Sequence, residues 1–261
     1  FLPPGHVAAA KERGLRLVAP SRAGYGGSTR DPDRLVADVV GDTAGLCDAL
    51  GITRFATAGW SGGGPHAIAC AAGMADRCVA AVSLAGVAPY LPDQFDWLEG
   101  MGESNVREFE LGLAAGPDYD ELLARHRDEM LGIDADALTS VRDLFGDLVS
   151  DADVASTSVE DVRYLVRNLR HALADGVGGW RDDDQSFMKP WGFDLADVQV
   201  PVAVWYGDQD LMVPTSHGDW LAANLPGVKA TCFEGDGHLS VGLGRFAEAL
   251  DELVALAGGS W

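Results

Sequence analysis

The run Gly59-Trp60-Ser61-Gly62-Gly63 places a serine in a spacing suited to nucleophilic chemistry. A serine hydroxyl is a weak nucleophile in water, so it needs a base to take its proton and donors to hold the oxyanion that forms. The G-x-S-x-G spacing serves both needs when a strand enters it and a helix leaves it. The serine then sits on a sharp elbow, and the N–H of the next residue, here Gly62, faces the developing charge. The positive end of the following helix adds to that field. By itself the pattern arises by chance in roughly one sequence in five at this glycine and serine content. Its weight comes from context: residues 55–60 read as a strand, and 64–74 as a short helix of small residues with Pro65 in its first turn.

The base must be a histidine, and His238 is the best placed of six, because Gly235-Asp236-Gly237-His238 directly follows the last predicted strand. Catalytic groups collect at the carboxyl ends of strands in a parallel sheet. His66 falls in the helix after the elbow and His217 in a loop beyond Asp210, while His6, His126 and His171 have less to recommend them. An acid must orient the imidazole and stabilise its charged form. The run Trp205-Tyr206-Gly207-Asp208-Gln209-Asp210-Leu211-Met212-Val213-Pro214 offers Asp208 and Asp210 at the end of a strand.

Short β-rich apolar runs at 15–20, 55–60, 79–86, 200–207 and 228–235 alternate with helical patterns, the signature of an α/β fold with a mainly parallel sheet covered by helices on both faces. Leu35, Val39, Thr43, Leu46, Cys47 and Leu50 recur at helical spacing, with Gly51 at the position of a C-terminal cap. Residues 243–254 form a strong amphipathic helical pattern. Residues 90–195 break the alternation: no strand is evident, and helical patterns cover 119–130, 138–149 and 159–173. The acidic stretch 175–184 reads as a loop within this segment, its run Asp182-Asp183-Asp184 as solvated surface. No internal repeat is evident.

The 261 residues carry a formal charge of −21, with 47% hydrophobic residues. An acidic surface repels nucleic acid and anionic membrane, and no apolar run approaches the roughly 20 residues that cross a bilayer. The segment 90–195 holds 24 of the 40 acidic and 9 of the 19 basic residues, a net of −15. Cys47, Cys70, Cys78 and Cys232 show no paired spacing and read as buried free thiols, consistent with a cytoplasmic protein. No metal-ligand spacing appears among the histidines. Gly62-Gly63-Gly64-Pro65-His66-Ala67 formally fits a dinucleotide-binding turn, but the next strand lacks the acid that would bind ribose hydroxyls, and no lysine follows the glycines as a P-loop requires.

These features resemble the α/β-hydrolase fold superfamily, in its capped serine esterase and proline-iminopeptidase-like branch. The family's acid loop reads Gly, two residues, Asp, two residues, Val-Pro. Gly207, Asp210 and Val213-Pro214 match it, so the resemblance assigns the acid to Asp210 and leaves Asp208 a supporting or turn residue. The order Ser61, Asp210, His238 agrees, as does the run Arg22-Ala23-Gly24-Tyr25-Gly26-Gly27-Ser28, although Ser21 stands near where an Asp is usual. The resemblance implies a core of residues 1–89 and 196–261 with a helical cap, 90–195, over the site. It implies a small, apolar carboxylic ester or amide as substrate, with no cofactor and no metal. Trp60, Trp97, Trp180, Phe187 and Trp191 are candidate pocket residues. An aminopeptidase with its amine held by Glu99, Glu103 or Asp182–Asp184, and a noncatalytic binding protein, are the alternatives. Oligomeric state is open. The family's first three strands, and the second oxyanion donor that follows them, have no counterpart here, so an upstream segment is expected.

Overall fold

The computed structural model describes residues 2–259. Four parallel strands lie side by side in chain order: β1 (Phe55–Trp60), β2 (Cys78–Leu84), β3 (Val202–Gly207) and β4 (Lys229–Phe233). Parallel neighbours require crossovers, and helices supply them. Before β1 come α1 (Pro4–Glu12) and α2 (Val39–Leu50), the latter closed by Gly51 at φ 67° in the left-handed cap the sequence predicts. Helix α3 (Gly63–Gly73) joins β1 to β2. Between β2 and β3 lie α4 (Glu103–Ala114), α5 (Pro117–Gly132), α6 (Arg142–Phe145), α7 (Asp151–Ser156), α8 (Val159–Ala172) and α9 (Gly178–Phe187). Helix α10 (Thr215–Asn224) joins β3 to β4, and α11 (Phe246–Leu256) follows β4.

The strands sort their side chains with period two. Val202, Val204 and Tyr206 of β3 enter one core cluster with Ile68 of α3 and Leu221 of α10. Ala203 and Trp205 enter another with Ala9 and Ala10 of α1 and Phe246, Leu250 and Leu253 of α11. Helices thus cover both faces of the sheet, and fully buried Ile68 and Leu221 each contribute about 1.5–3 kcal/mol of apolar burial. Among the described residues, the segment between β2 and β3 contains no strand.

Several expectations require correction. Residues 15–20 form no strand: Leu15 and Leu17 pack against the second core cluster, but the sheet pairs β1 only with β2. Apolar patterning records that a face is buried and not whether a ladder partner exists. The pattern at 138–149 yields only α6 and a 3₁₀ turn at Gly146–Leu148, divided at Gly146, which takes φ 56°. His217 lies within α10, not a loop. Cys232 is exposed, because it stands on the terminal strand β4.

The largest correction concerns 175–184. Residues 178–187 are helical, and Asp182, Asp183 and Asp184 are 1%, 3% and 5% exposed. Asp182 and Asp183 are buried because cations meet them. Arg30 grips Asp182 with two hydrogen bonds of 2.7 and 2.8 Å, while Arg34 reaches Asp183 at 2.8 Å and Asp182 at 3.3 Å. Arg22 pairs with Asp183, which also accepts from Tyr25 at 3.0 Å. Backbones approach closely here: a Cβ on Gly179 would fall 2.7 Å from the Gly24 carbonyl oxygen. The 22–34 loop is therefore bolted to α9.

Candidate active site

Strand β1 delivers Ser61 to the carboxyl edge of the sheet. Its N–H donates to the Leu84 carbonyl at 2.9 Å, extending the β1–β2 ladder by one bond, and its carbonyl accepts from Gly64 at 2.9 Å as the chain turns into α3. Between these bonds Ser61 holds φ 55°, the left-handed region that costs a residue with a Cβ about 1–2 kcal/mol. Strain of this kind persists only where its surroundings impose it. The imposition is steric: a Cβ on Gly59 would lie 2.0 Å from the Gly63 carbonyl oxygen, and one on Gly64 would lie 2.4 Å from Ser83 Oγ and 2.8 Å from Gly86 Cα. Gly62 is the N-terminal cap residue of α3, so its N–H lies at the positive end of that helix.

Strands β3 and β4 deliver the other two candidates. Asp210 is 4% exposed and His238 2%, and His238 Nδ1 lies 2.8 Å from Asp210 Oδ2. The second Asp210 oxygen accepts the Met212 and Val213 N–H groups, each at 2.8 Å. The carboxylate is thereby fixed as an acceptor, which makes Nδ1 of His238 the protonated nitrogen and leaves Nε2 with its lone pair. Asp208 accepts from Gly235 N–H at 2.7 Å and so ties the end of β3 to the loop carrying His238. A Cβ on Gly207 would fall 2.1 Å from the Asp236 carbonyl oxygen, which explains that glycine.

Trp60 links the strand ends. Its indole N–H donates to the His238 carbonyl at 3.2 Å, and the two rings are centred 5.4 Å apart. Phe187, at the end of α9, packs against Gly62, where a Cβ would meet its ring at 2.7 Å. It also meets the His66 ring edge-on at 5.9 Å. His66 Nδ1 lies 2.7 Å from the Gly62 carbonyl, and burial, reinforced by the Arg22 charge, pushes its pKa down to about 4. A neutral histidine thus buttresses the elbow, a role that the sequence did not reveal.

The other candidate pocket aromatics lie elsewhere. Trp97 is buried against Phe109 and His217 and donates to the Ala88 carbonyl at 2.8 Å. Trp180 donates to Glu108 at 2.8 Å. Trp191 borders a surface groove with Pro89, Leu91, Phe193 and Trp220, which includes none of Ser61, Asp210 and His238. Glu99 and Glu103 are exposed, and Asp182 and Asp183 are committed to arginines. Beside them, Tyr119 donates to Asp184. Burial and the neighbouring Glu108 carboxylate raise the Asp184 pKa well above the usual range.

Among the described residues no three His, Cys, Asp or Glu side chains gather as a metal site, and no helix is long and apolar enough to cross a membrane.

A family described as the alpha/beta hydrolase fold matches residues 3–244. Among curated proteins, none matches the chain. Among solved structures, an alpha/beta hydrolase fold protein from Nakamurella multipartita is similar, with 23% identity and a TM-score of 0.62, the match covering 98% of this chain and 87% of that one. A bromoperoxidase from Bacillus anthracis gives 23% identity and a TM-score of 0.65 over 96% of this chain and 86% of its own. An esterase from Rhodococcus sp. ECU1013 gives 21% and 0.61 over 95% and 84%. At these identities the likeness is one of fold.

Proposed function

The chain belongs to the alpha/beta hydrolase fold family, and from that premise we propose that it is a serine hydrolase cleaving a small, apolar carboxylic ester or amide through an acyl-enzyme on Ser61. The observation that carries this reading is the buried 2.8 Å contact of His238 Nδ1 with Asp210, one sheet edge away from a serine held at a left-handed elbow. His238 Nε2 takes the Ser61 proton as Oγ attacks the carbonyl carbon, and Asp210 stabilises the imidazolium. The proton then passes to the leaving group. Water, deprotonated by the same nitrogen, releases the acid and restores Ser61. Gly62 N–H holds the oxyanion in both steps.

In this reading α4–α9 act as a cap, and Trp60 and Phe187, on either side of the elbow, border the acyl group. Of the remaining candidates, Trp180 packs within the cap, while Trp97 and Trp191 belong to the core cluster on the sheet. The substrate is a small molecule. Ester cleavage is favoured over aminopeptidase action, because the buried Asp182 and Asp183 are already neutralised by arginine and offer an amine no free charge. The similar Rhodococcus protein is itself described as an esterase.

Treatment with a fluorophosphonate probe tests the reading. The protein gains one adduct, located on Ser61 by peptide mass, and the Ser61→Ala variant gains none. Hydrolysis of short aryl esters outpaces that of aminoacyl arylamides. Labelling undiminished in Ser61→Ala would refute the nucleophile, a protein that neither labels nor turns over would be a binding module, and faster arylamide cleavage would make it a peptidase.

A further inference from the structure

Asp153 belongs to α7, far in sequence from the strand ends, and has no place in the reaction outlined above. It is nevertheless fully buried, and its carboxylate is shared between two segments. Oδ2 faces its own helix: it accepts the Ser150 N–H at 3.2 Å and the Ser150 hydroxyl at 3.1 Å, while Ser150 Oγ accepts the Asp153 N–H at 3.2 Å. Oδ1 faces the other way and accepts the N–H groups of Leu239 at 2.7 Å and Ser240 at 3.1 Å. Those are the two peptides immediately after His238.

The contact is close as well as polar. A Cβ on Gly237 would fall 2.4 Å from Ser150 Oγ and 2.5 Å from Asp153 Oδ2, so the start of α7 rests directly on the backbone that precedes His238. On the opposite side the His238 carbonyl accepts from Trp60. Upstream, Gly237 N–H donates to Ser240 Oγ at 2.7 Å. The N–H groups of Leu239 and Ser240 open a short helical turn at Ser240–Gly244, where a helix start leaves N–H groups without partners of its own. A buried donor left unpaired costs about 1–3 kcal/mol, so the loop holds this path only while Asp153 is in place.

We propose that Asp153 is a positioning residue for His238: through Leu239 and Ser240 it fixes the backbone of the base, and so makes the reach of Nε2 toward Ser61 depend on the docking of α7. The proposal rests on the serine-hydrolase reading. Its consequence is that a helix of the inserted segment, not only the sheet, sets the reactive geometry.

The test compares Asp153→Ala, Asp153→Asn, Ser150→Ala and Ser61→Ala with the parent protein. The readouts are kcat and KM on a short aryl ester, the rate of fluorophosphonate labelling, and thermal melting. Misplacing a catalytic group by about 1 Å costs on the order of 100-fold, so Asp153→Ala lowers kcat and the labelling rate by about 10- to 100-fold, with KM little changed. Asp153→Asn, which keeps an acceptor oxygen for Leu239 and Ser240, recovers part of the loss. Ser150→Ala weakens the start of α7 but leaves the contact to the His238 loop, so it lowers melting temperature more than kcat.

A folded Asp153→Ala with parental kcat, or equal losses in Asp153→Ala and Ser150→Ala, would overturn the proposal, since Asp153 would then serve only its own helix. Should Asp153→Ala not fold, Asp153→Asn and Ser150→Ala decide: a lower kcat in the former supports positioning, and equal kcat overturns it. If Ser61→Ala keeps turnover, the hydrolase reading itself falls and the proposal with it. Loss in Ser61→Ala without loss in either Asp153 variant removes the proposal alone.

Discussion

Asp210 meets His238 with one carboxylate oxygen and the Met212 and Val213 N–H groups with the other. An oxygen pinned by two backbone donors cannot swing, so the imidazole is oriented by the backbone of the loop as much as by the acid. Asp210→Asn can place an amide N–H toward Nδ1 and invert the tautomer. It lowers kcat by about 10³- to 10⁴-fold with little change in melting temperature, and steady-state kinetics on an aryl ester check this.

The two glycines of the elbow motif are unequal. A Cβ on Gly59 meets backbone at 2.0 Å, whereas one on Gly63 meets nothing within 4 Å. Gly59→Ala therefore destabilises by about 1–3 kcal/mol, the usual cost of overpacking, and melting falls by about 2–12 °C. Gly63→Ala leaves melting unchanged or slightly higher, because alanine favours a helix start.

His217 is a buried histidine that must stay neutral. Its Nδ1 accepts from Ala88 N–H at 3.1 Å, so Nε2 carries the proton and donates to the Trp97 carbonyl at 2.9 Å. Burial pushes its pKa down to about 4, as it does for His6 and His66. The unfolded chain takes up these protons near pH 6.5, so it binds more protons than the folded chain between about pH 6.5 and 4. Stability is full above that window and falls as pH drops through it. Urea unfolding at pH 7, 5.5 and 4.5 shows a progressive loss of up to about 3 kcal/mol per histidine, and His217→Asn flattens the dependence.

Neighbouring aspartates in α9 respond unequally to the same substitution. Burial alone would raise the Asp183 pKa, but the charge of Arg22, followed by that of His66 once it is protonated below about pH 4 and by Arg34, brings it down to about 2. Asp183→Asn breaks a buried ion pair and costs about 3 kcal/mol at pH 7. Part of that cost depends on pH: present above about pH 4, it fades as pH falls toward 2. Arg22 is 32% exposed, and solvent screening limits this part to about 1–2 kcal/mol. Burial and the neighbouring Glu108 favour the uncharged form of Asp184, so Asp184→Asn, which breaks no ion pair, costs less than Asp183→Asn. Urea midpoints of the two variants separate accordingly.

What could be read from the sequence was whatever local spacing dictates. The strands at 55–60 and 200–207, the cap at Gly51 and the elbow at Ser61 follow from rules that span a few residues; strand ends singled out His238 and left Asp208 and Asp210 both open, and the choice of Asp210 came from the family resemblance. The sheet partner that residues 15–20 lack could not be read, because pairing is a property of two segments. Asp182 and Asp183 were misread for the same reason: their arginines lie about 150 residues upstream, in or just after a run whose glycines drew attention to its turns. The Ser150-Asp151-Ala152-Asp153 sequence does announce a helix start, but nothing in it points to Leu239.

The arginine clamp on α9 also bears on how the chain acquires its structure. Its two halves stand about 150 residues apart, and the ordering of a loop that long precedes any reward from the contact. The clamp thus ties the helix that carries Phe187 to a loop far upstream, so the packing of Phe187 on Gly62 is complete only when both segments are in place.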